Sequence, residues 1–202
     1  MSTPRRSSPP PLRSSVEQRR GDPAMTLRLD PLVPATDAEI VHGWVVEDRA
    51  QFWMMQEHTL DEVREIYQWI ADRDTHAAYL VRRGDEPVAL FQTYDPRAEE
   101  VGQHFEVRPG DIGIHFMLAP ATVAQPGFTA EVVAFLAATV FSDPEVARLV
   151  AEPDDRNAKA VGLVQRLGFE LGPIVELSTK PARLAFWPRS AYESAFSKNS
   201  SA

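Results

Sequence analysis

His115 stands in the run Gly113-Ile114-His115-Phe116, and about one strand-helix unit further on the chain reads Glu152-Pro153-Asp154-Asp155-Arg156-Asn157. Imidazole is the side chain that most readily exchanges a proton near neutral pH. A carboxylate beside it completes a pair for acid/base work. Alternation along the strand-like run Ile112–Leu118 puts His115 on one face with Gly113 and Met117, and Ile114, Phe116 and Leu118 on the other. A lone histidine in such a run is equally an ordinary core residue. The catalytic reading gains weight from Glu152-Pro153-Asp154, which closes the strand-like run Arg148–Ala151, because ligands of open α/β sheets bind where strand ends diverge. Pro153 is expected to stop the strand ladder there, so that Asp154 and Asp155 project from the rim. One of the two is then the cap of the following helix, and the other is left to act as a base.

Two further constellations are candidates for binding. Gln125-Pro126-Gly127-Phe128-Thr129 leads into a helix-like run, and the amides of a helix N-terminus hold a phosphate without any basic side chain. No Lys or Arg occurs between Arg108 and Arg148, so an anion there is expected to depend on backbone donors. Trp44, Phe52, Trp53, Met54 and Met55 form an aromatic and thioether cluster, which suits either ordinary core or the wall of a pocket for an alkyl chain.

These residues need a scaffold, and the periodicity supplies one. Leu27-Arg28-Leu29 alternates as a first strand, and Thr36-Asp37 opens a helix carrying Ile40, Val41 and Trp44. Val63, Ile66, Tyr67 and Ile70 have helical spacing within Leu60–Ala71. The runs Ala77–Arg82 and Pro87–Tyr94 are joined by the turn signal Arg83-Gly84-Asp85-Glu86. After the central strand Ile112–Leu118 come a helix Thr129–Phe141, a strand Ala147–Glu152, a helix Arg156–Leu167 closed by Gly168, and strands Glu170–Leu177 and Ala182–Trp187. The class is α/β, with a mixed sheet and four helices.

Composition bounds the function. The 202 residues are 44% hydrophobic and 25% charged, enough for one domain with a sizeable core. Residues 1–24, rich in Pro, Ser and Arg, are expected to be a disordered tail before a domain at 25–197, with 198–202 a disordered end. Met25 is a plausible alternative start. With no cysteine there is neither a disulfide nor a thiol nucleophile, and five scattered histidines without ligand spacing argue against a metal site. A net charge of −8 argues against nucleic acid as partner. No apolar run has the length of a membrane span and no secretion signal is recognisable, so a cytoplasmic protein is expected.

With these segments placed, the chain resembles the GNAT superfamily of N-acetyltransferases, and within it the siderophore-biosynthesis acyltransferases that complete hydroxamate groups. His42-Gly43-Trp44-Val45, Phe52-Trp53-Met54-Met55, Tyr94-Asp95-Pro96, Gly110–Phe116, Pro126–Thr129, Glu152–Asn157 and Gly168-Phe169 carry the resemblance, over roughly residues 26–190. It is closest to the desferrioxamine-pathway type that acylates N-hydroxycadaverine, with the aerobactin and mycobactin types more distant. The resemblance implies a GNAT fold of six to seven strands with splayed central strands and acyl-CoA, acetyl or succinyl, bound in the splay. It implies a hydroxylamine substrate entering from the opposite side. It places His115 as the substrate-contacting histidine, Asp154 as general base and Asn157 near the pantetheine arm, with Met117, Leu118, Gly127, Phe128 and Thr129 toward the cofactor and Trp44, Trp53 and Met55 toward the substrate. The superfamily's phosphate loop, Gln/Arg-x-x-Gly-x-Gly/Ala, falls here on Ala124, Gly127 and Thr129, and only the glycine matches.

The expected activity is acyl transfer from acyl-CoA to an N-hydroxylated diamine or diamino acid, giving a hydroxamate for iron acquisition. A hydroxylated nitrogen is largely unprotonated near neutral pH, so a modest base suffices. The alternatives keep the fold with an ordinary small-molecule amine as acceptor, or reduce it to a non-catalytic acyl-CoA-binding module.

Overall fold

The computed structural model describes residues 26–120 and 125–197. The tail and C-terminal end expected at 1–24 and 198–202, Met25, and the loop position Ala124 lie outside the described residues. The elements run β1 (Leu27–Pro31), α1 (Pro34–Val45), a 3₁₀ segment (Asp48–Trp53), α2 (Leu60–Ala71), β2 (His76–Arg83) and β3 (Glu86–Tyr94). Two short 3₁₀ turns follow, then β4 (Asp111–Leu118), α3 (Phe128–Phe141), β5 (Arg148–Ala151), α4 (Ala158–Arg166), β6 (Glu170–Glu176), β7 (Pro181–Pro188) and α5 (Arg189–Ser197). The strands form one seven-stranded sheet in the order β1-β2-β3-β4-β5-β7-β6. Every pairing is antiparallel except that of β4 with β5.

The period-2 pattern divides the sheet into two faces. On one, Leu80, Leu90 and Met117 pack with Val41, Trp44 and Val45 of α1 and Val63, Tyr67 and Ile70 of α2. On the other, Phe91, Ile112 and Leu149 pack against Val132, Phe135, Leu136 and Val140 of α3. Helix α1 starts two residues earlier than Thr36, because Pro34 suits a first turn and the Asp37 carboxylate accepts from the Val33 amide at 2.8 Å. Helix α2 is fixed by a reciprocal capping box between Thr59 and Glu62. The 3₁₀ segment and α5 were not expected from periodicity, each being too short or too irregular to show a period.

The decisive feature is where β4 and β5 part. They share only three register positions, Asp111 with Arg148, Ile112 with Leu149 and Gly113 with Val150. Beyond these, β4 stays on β3, with His115 opposite Gln92 and Phe116 opposite Phe91. The other chain stays on β7. The carbonyl of Pro153 accepts from the Arg183 amide at 2.9 Å, the Asp155 amide donates to the Pro181 carbonyl at 2.9 Å, and Asp154 bridges Ala182. The expectation that Pro153 ends the ladder is therefore corrected. Its carbonyl serves the β7 side, so the missing N–H costs no bond there, and the V opens toward β4 instead.

Among the described residues no helix is long and apolar enough to cross a membrane, and no group of three His, Asp or Glu side chains is placed to hold a metal ion.

Candidate active site

Gly113 explains why the site is possible at all. A Cβ at this position would lie 2.1 Å from the Tyr94 ring, so only glycine lets that ring lie across β4. The Tyr94 hydroxyl then donates to Oε2 of Glu152 at 2.6 Å. Glu152 is the residue after β5, following the apolar Leu149, Val150 and Ala151, and is 5% exposed. Its Oε1 meets Nε2 of His115 in a close contact and lies 3.7 Å from Nζ of Lys180. A bare carboxylate so buried would be driven toward its neutral form. Burial does push Glu152 upward, but the charge and hydrogen bond of His115, the charge of Lys180 and the Tyr94 hydroxyl outweigh it and hold the carboxyl down at about 2. Tyr94 moves the other way, pushed well above its usual range by burial and by the Glu152 charge, and stays a donor.

On its other side His115 faces Gln92, with Nδ1 3.1 Å from Oε1, and the Gln92 amide donates to the Tyr67 hydroxyl at 3.0 Å. The Tyr67 phenol is fully buried and its pKa is raised by that burial. A polar chain thus runs from Tyr67 through Gln92 and His115 to Glu152 under the apolar cover of α2. His115 is its accessible member, with 38% of its side chain exposed. The Trp53 ring stands edge-on 6.2 Å from it.

The pair opens into one cavity of about 470 Å³, whose lining includes Trp53, Met55, Tyr94, His115, Met117, Glu152, Asp154 and Asn157. Of the residues singled out from the sequence, His115, Trp53, Met55, Met117, Asp154 and Asn157 are thus brought together. Trp44 is placed elsewhere, 8% exposed in the core between α1 and α2. Leu118 ends β4, where its carbonyl accepts from Arg49 Nη1 at 2.8 Å.

Asp154 does not project from the rim. It is 3% exposed, and Arg156 clamps it with its amide and Nε on Oδ1, each at 2.9 Å, and Nη2 on Oδ2 at 2.6 Å. The Arg156 hydrogen bond is the main cause that lowers its pKa. Neither aspartate caps α4, since Asp155 binds Nε of Arg183 at 2.9 Å. The cap is Asn157, whose Oδ1 accepts from the Ala160 amide at 3.1 Å. Turn formation through Arg156 delays the helix by two residues relative to the expected start.

At the far end of β4, Gly127 takes the left-handed conformation (φ 83°) ahead of Phe128 and Thr129, the first residues of α3. The expectation of an anion site without basic side chains omitted the β2-β3 hairpin. Arg83 crosses to this helix end, its guanidinium 4.3 Å over the Phe128 ring, with Nη1 on Gln125 Oε1 at 2.9 Å and Nη2 on Glu131 Oε2 at 2.7 Å.

Sequence reasoning missed Tyr94, Gln92, Lys180 and the role of Glu152. The available signal was parity. Glu152 lies two positions after Val150, the register partner of Gly113, and so on the face of His115.

Comparison with known proteins places this geometry. An acetyltransferase (GNAT) domain model matches residues 33–177. The aminoglycoside N(6′)-acetyltransferase type 1 of Klebsiella pneumoniae is 27% identical over 175 residues, covering 84% of this chain and 86% of that protein. The crystal structure of aminoglycoside acetyltransferase AAC(6′)-Ib with coenzyme A and kanamycin superposes with a TM-score of 0.73 at 25% identity, covering 84% of this chain and 99% of that one. Spermidine N-acetyltransferase from Vibrio cholerae, with CoA and spermine, shares the fold at a TM-score of 0.61 and 16% identity, over 82% and 97% of the two chains. With its central strands parting between β4 and β5 and the domain model covering residues 33–177, this chain belongs to the GNAT acetyltransferase family.

Proposed function

We propose that the chain is an acyl-CoA-dependent N-acyltransferase whose acceptor is the amino group of a small molecule, with His115 and Glu152 as its acid/base pair. The observation that carries this is the buried Glu152 carboxylate facing His115 across the gap between β4 and β5. In the reaction a C–N bond forms and the thioester C–S bond breaks. One proton leaves the acceptor nitrogen and one reaches the CoA sulfur, so the site needs a relay rather than a net acid or base.

The chain Tyr67-Gln92-His115-Glu152 serves His115 in both proton states. With the Gln92 carbonyl toward the ring, both ring nitrogens meet acceptors and both donate. With the amide turned over, Nδ1 accepts from Gln92 and the remaining N–H stays on Glu152. Glu152 holds the ring in place through its contact with Nε2. Asp154, occupied by Arg156, positions the turn between β5 and α4. The thioester would lie along β4 past Gly113, where the strand edge has no β5 partner and its backbone groups are free to polarise a carbonyl. Asn157, at the start of α4 and on the cavity wall, would face the pantetheine arm of a bound acyl-CoA.

The relatives named for aminoglycoside and spermidine acetylation support an ordinary amine as acceptor, and Glu99 and Glu152 in the cavity lining suit a cationic molecule. An N-hydroxylated diamine, giving a hydroxamate, is the alternative acceptor, since a hydroxylamine nitrogen needs little deprotonation. Thiol release from acetyl-CoA separates these readings, with kanamycin, spermidine and cadaverine as amines and N-hydroxycadaverine as hydroxylamine. Higher kcat/KM for an amine is expected. Higher kcat/KM for the hydroxylamine would restore the siderophore reading, and release with none of them would contradict an N-acyltransferase of small amines.

A further inference from the structure

The α2 side of the cavity carries more apolar wall than acid/base chemistry requires. Five rings of the lining follow one another, with centroids 5.2 Å apart from Trp69 to His76, 6.1 Å from His76 to Tyr94, 5.0 Å from Tyr94 to His115 and 6.2 Å from His115 to Trp53. The run Phe52-Trp53-Met54-Met55, conspicuous in the sequence and unused by the acid/base pair, lines the same space. Among the described residues few large apolar side chains are exposed, yet two of them, Met54 at 44% and Trp69 at 45%, belong to this lining. Apolar surface gathered at one concavity and left open to water is surface that a ligand covers.

Charge narrows the occupant further. Among the described residues the carboxylates of the lining are Glu99, Glu152 and Asp154, and each already has a partner. Asp154 holds Arg156, Glu152 faces His115 and Lys180, and Glu99 meets Nε2 of His76 with its Oε1 at 2.7 Å. Cations stand close by. Lys180 lies 3.7 Å from Glu152, Arg49 reaches the Leu118 carbonyl at 2.8 Å, and the Arg73 guanidinium covers the Trp69 ring at 3.5 Å. A second ammonium in this space meets like charges and an occupied ring face, and the partly exposed Glu99 repays little of its desolvation. Hydroxyl groups laid along the rings would lack partners in the same way. A methylene chain or a phenyl ring has neither cost.

We infer that the acceptor carries a single amino group on an apolar body, and is neither a polyamine nor an aminosugar. This rests on the N-acyltransferase reading above. The nitrogen meets His115, and the body lies along the ring wall toward Trp69.

Thiol release from acetyl-CoA by the full chain tests this, with hexylamine against cadaverine, which is of nearly the same length but ends in a second ammonium, and 2-phenylethylamine against ethylamine. Hexylamine is expected to exceed cadaverine in kcat/KM by about tenfold or more, and 2-phenylethylamine to exceed ethylamine by a similar factor. Smaller ratios with release still proceeding, or a higher kcat/KM for spermidine or kanamycin than for hexylamine, would overturn the apolar seat and leave the transferase reading intact. Release with no amine at all would overturn both. Trp69→Ala and Met54→Gln alter exposed side chains, and each should cut the ratio of 2-phenylethylamine to ethylamine about threefold or more. Folded variants that both keep the wild-type ratio would contradict the placement.

Discussion

Glu152 and Asp154 are both buried carboxylates two residues apart, yet their surroundings assign them different work. Glu152 faces His115, Tyr94 and Lys180 within the cavity. Asp154 spends its oxygens on the amide and guanidinium of the residue two positions on. Asp154→Asn should therefore act mainly on stability, by about 1–2 kcal/mol, as read from urea denaturation. Glu152 also sets a pH dependence. Its folded carboxyl, near 2, lies below the ordinary value of 4.5. Its stabilisation is thus fully present above about pH 4.5 and lost as pH falls toward 2. Thermal melts between pH 6 and 3 should show a steeper loss for the wild type than for Glu152→Gln, and parallel curves would contradict the assigned coupling.

Each element delivers one part of the site, and two substitutions test how. Gly113→Ala puts a methyl group into the Tyr94 ring and should cost about 2 kcal/mol or more, because neither β4 nor β3 can yield in a packed sheet. It should also lower turnover by freeing Tyr94 from Glu152. A folded Gly113→Ala protein with wild-type melting and rate would show that the ring has another resting place. Asn157→Ala removes the cap of α4 and should destabilise by about 1 kcal/mol in the same assay.

These elements also show what could be read from the chain. Alternation in Ile112–Leu118 placed His115 on the correct face, and the 3.6-residue period located α2 with the ends it has in the fold. Pro153 misled because its effect depends on which neighbour the strand keeps, and that is a property of β7, thirty residues on. Lys180 and Arg83 reach their partners only through tertiary contacts, so no local pattern announces them.

For the molecule as a whole, the sheet acts as a frame that opens between β4 and β5, with the polar chain from Tyr67 through Gln92 and His115 to Glu152 at the opening. The proposed acid/base pair stands in that gap. This arrangement predicts that chemistry belongs to the residues of the gap and not to the carboxylate beyond it. The most direct measurement is the rate of thiol release from acetyl-CoA, with the best acceptor of the panel, for wild type, Glu152→Gln and Asp154→Asn under folded conditions. Glu152→Gln is expected to lose about a hundredfold or more in kcat, while Asp154→Asn stays within about tenfold. A silent Glu152→Gln beside an inactive, folded Asp154→Asn would contradict the account.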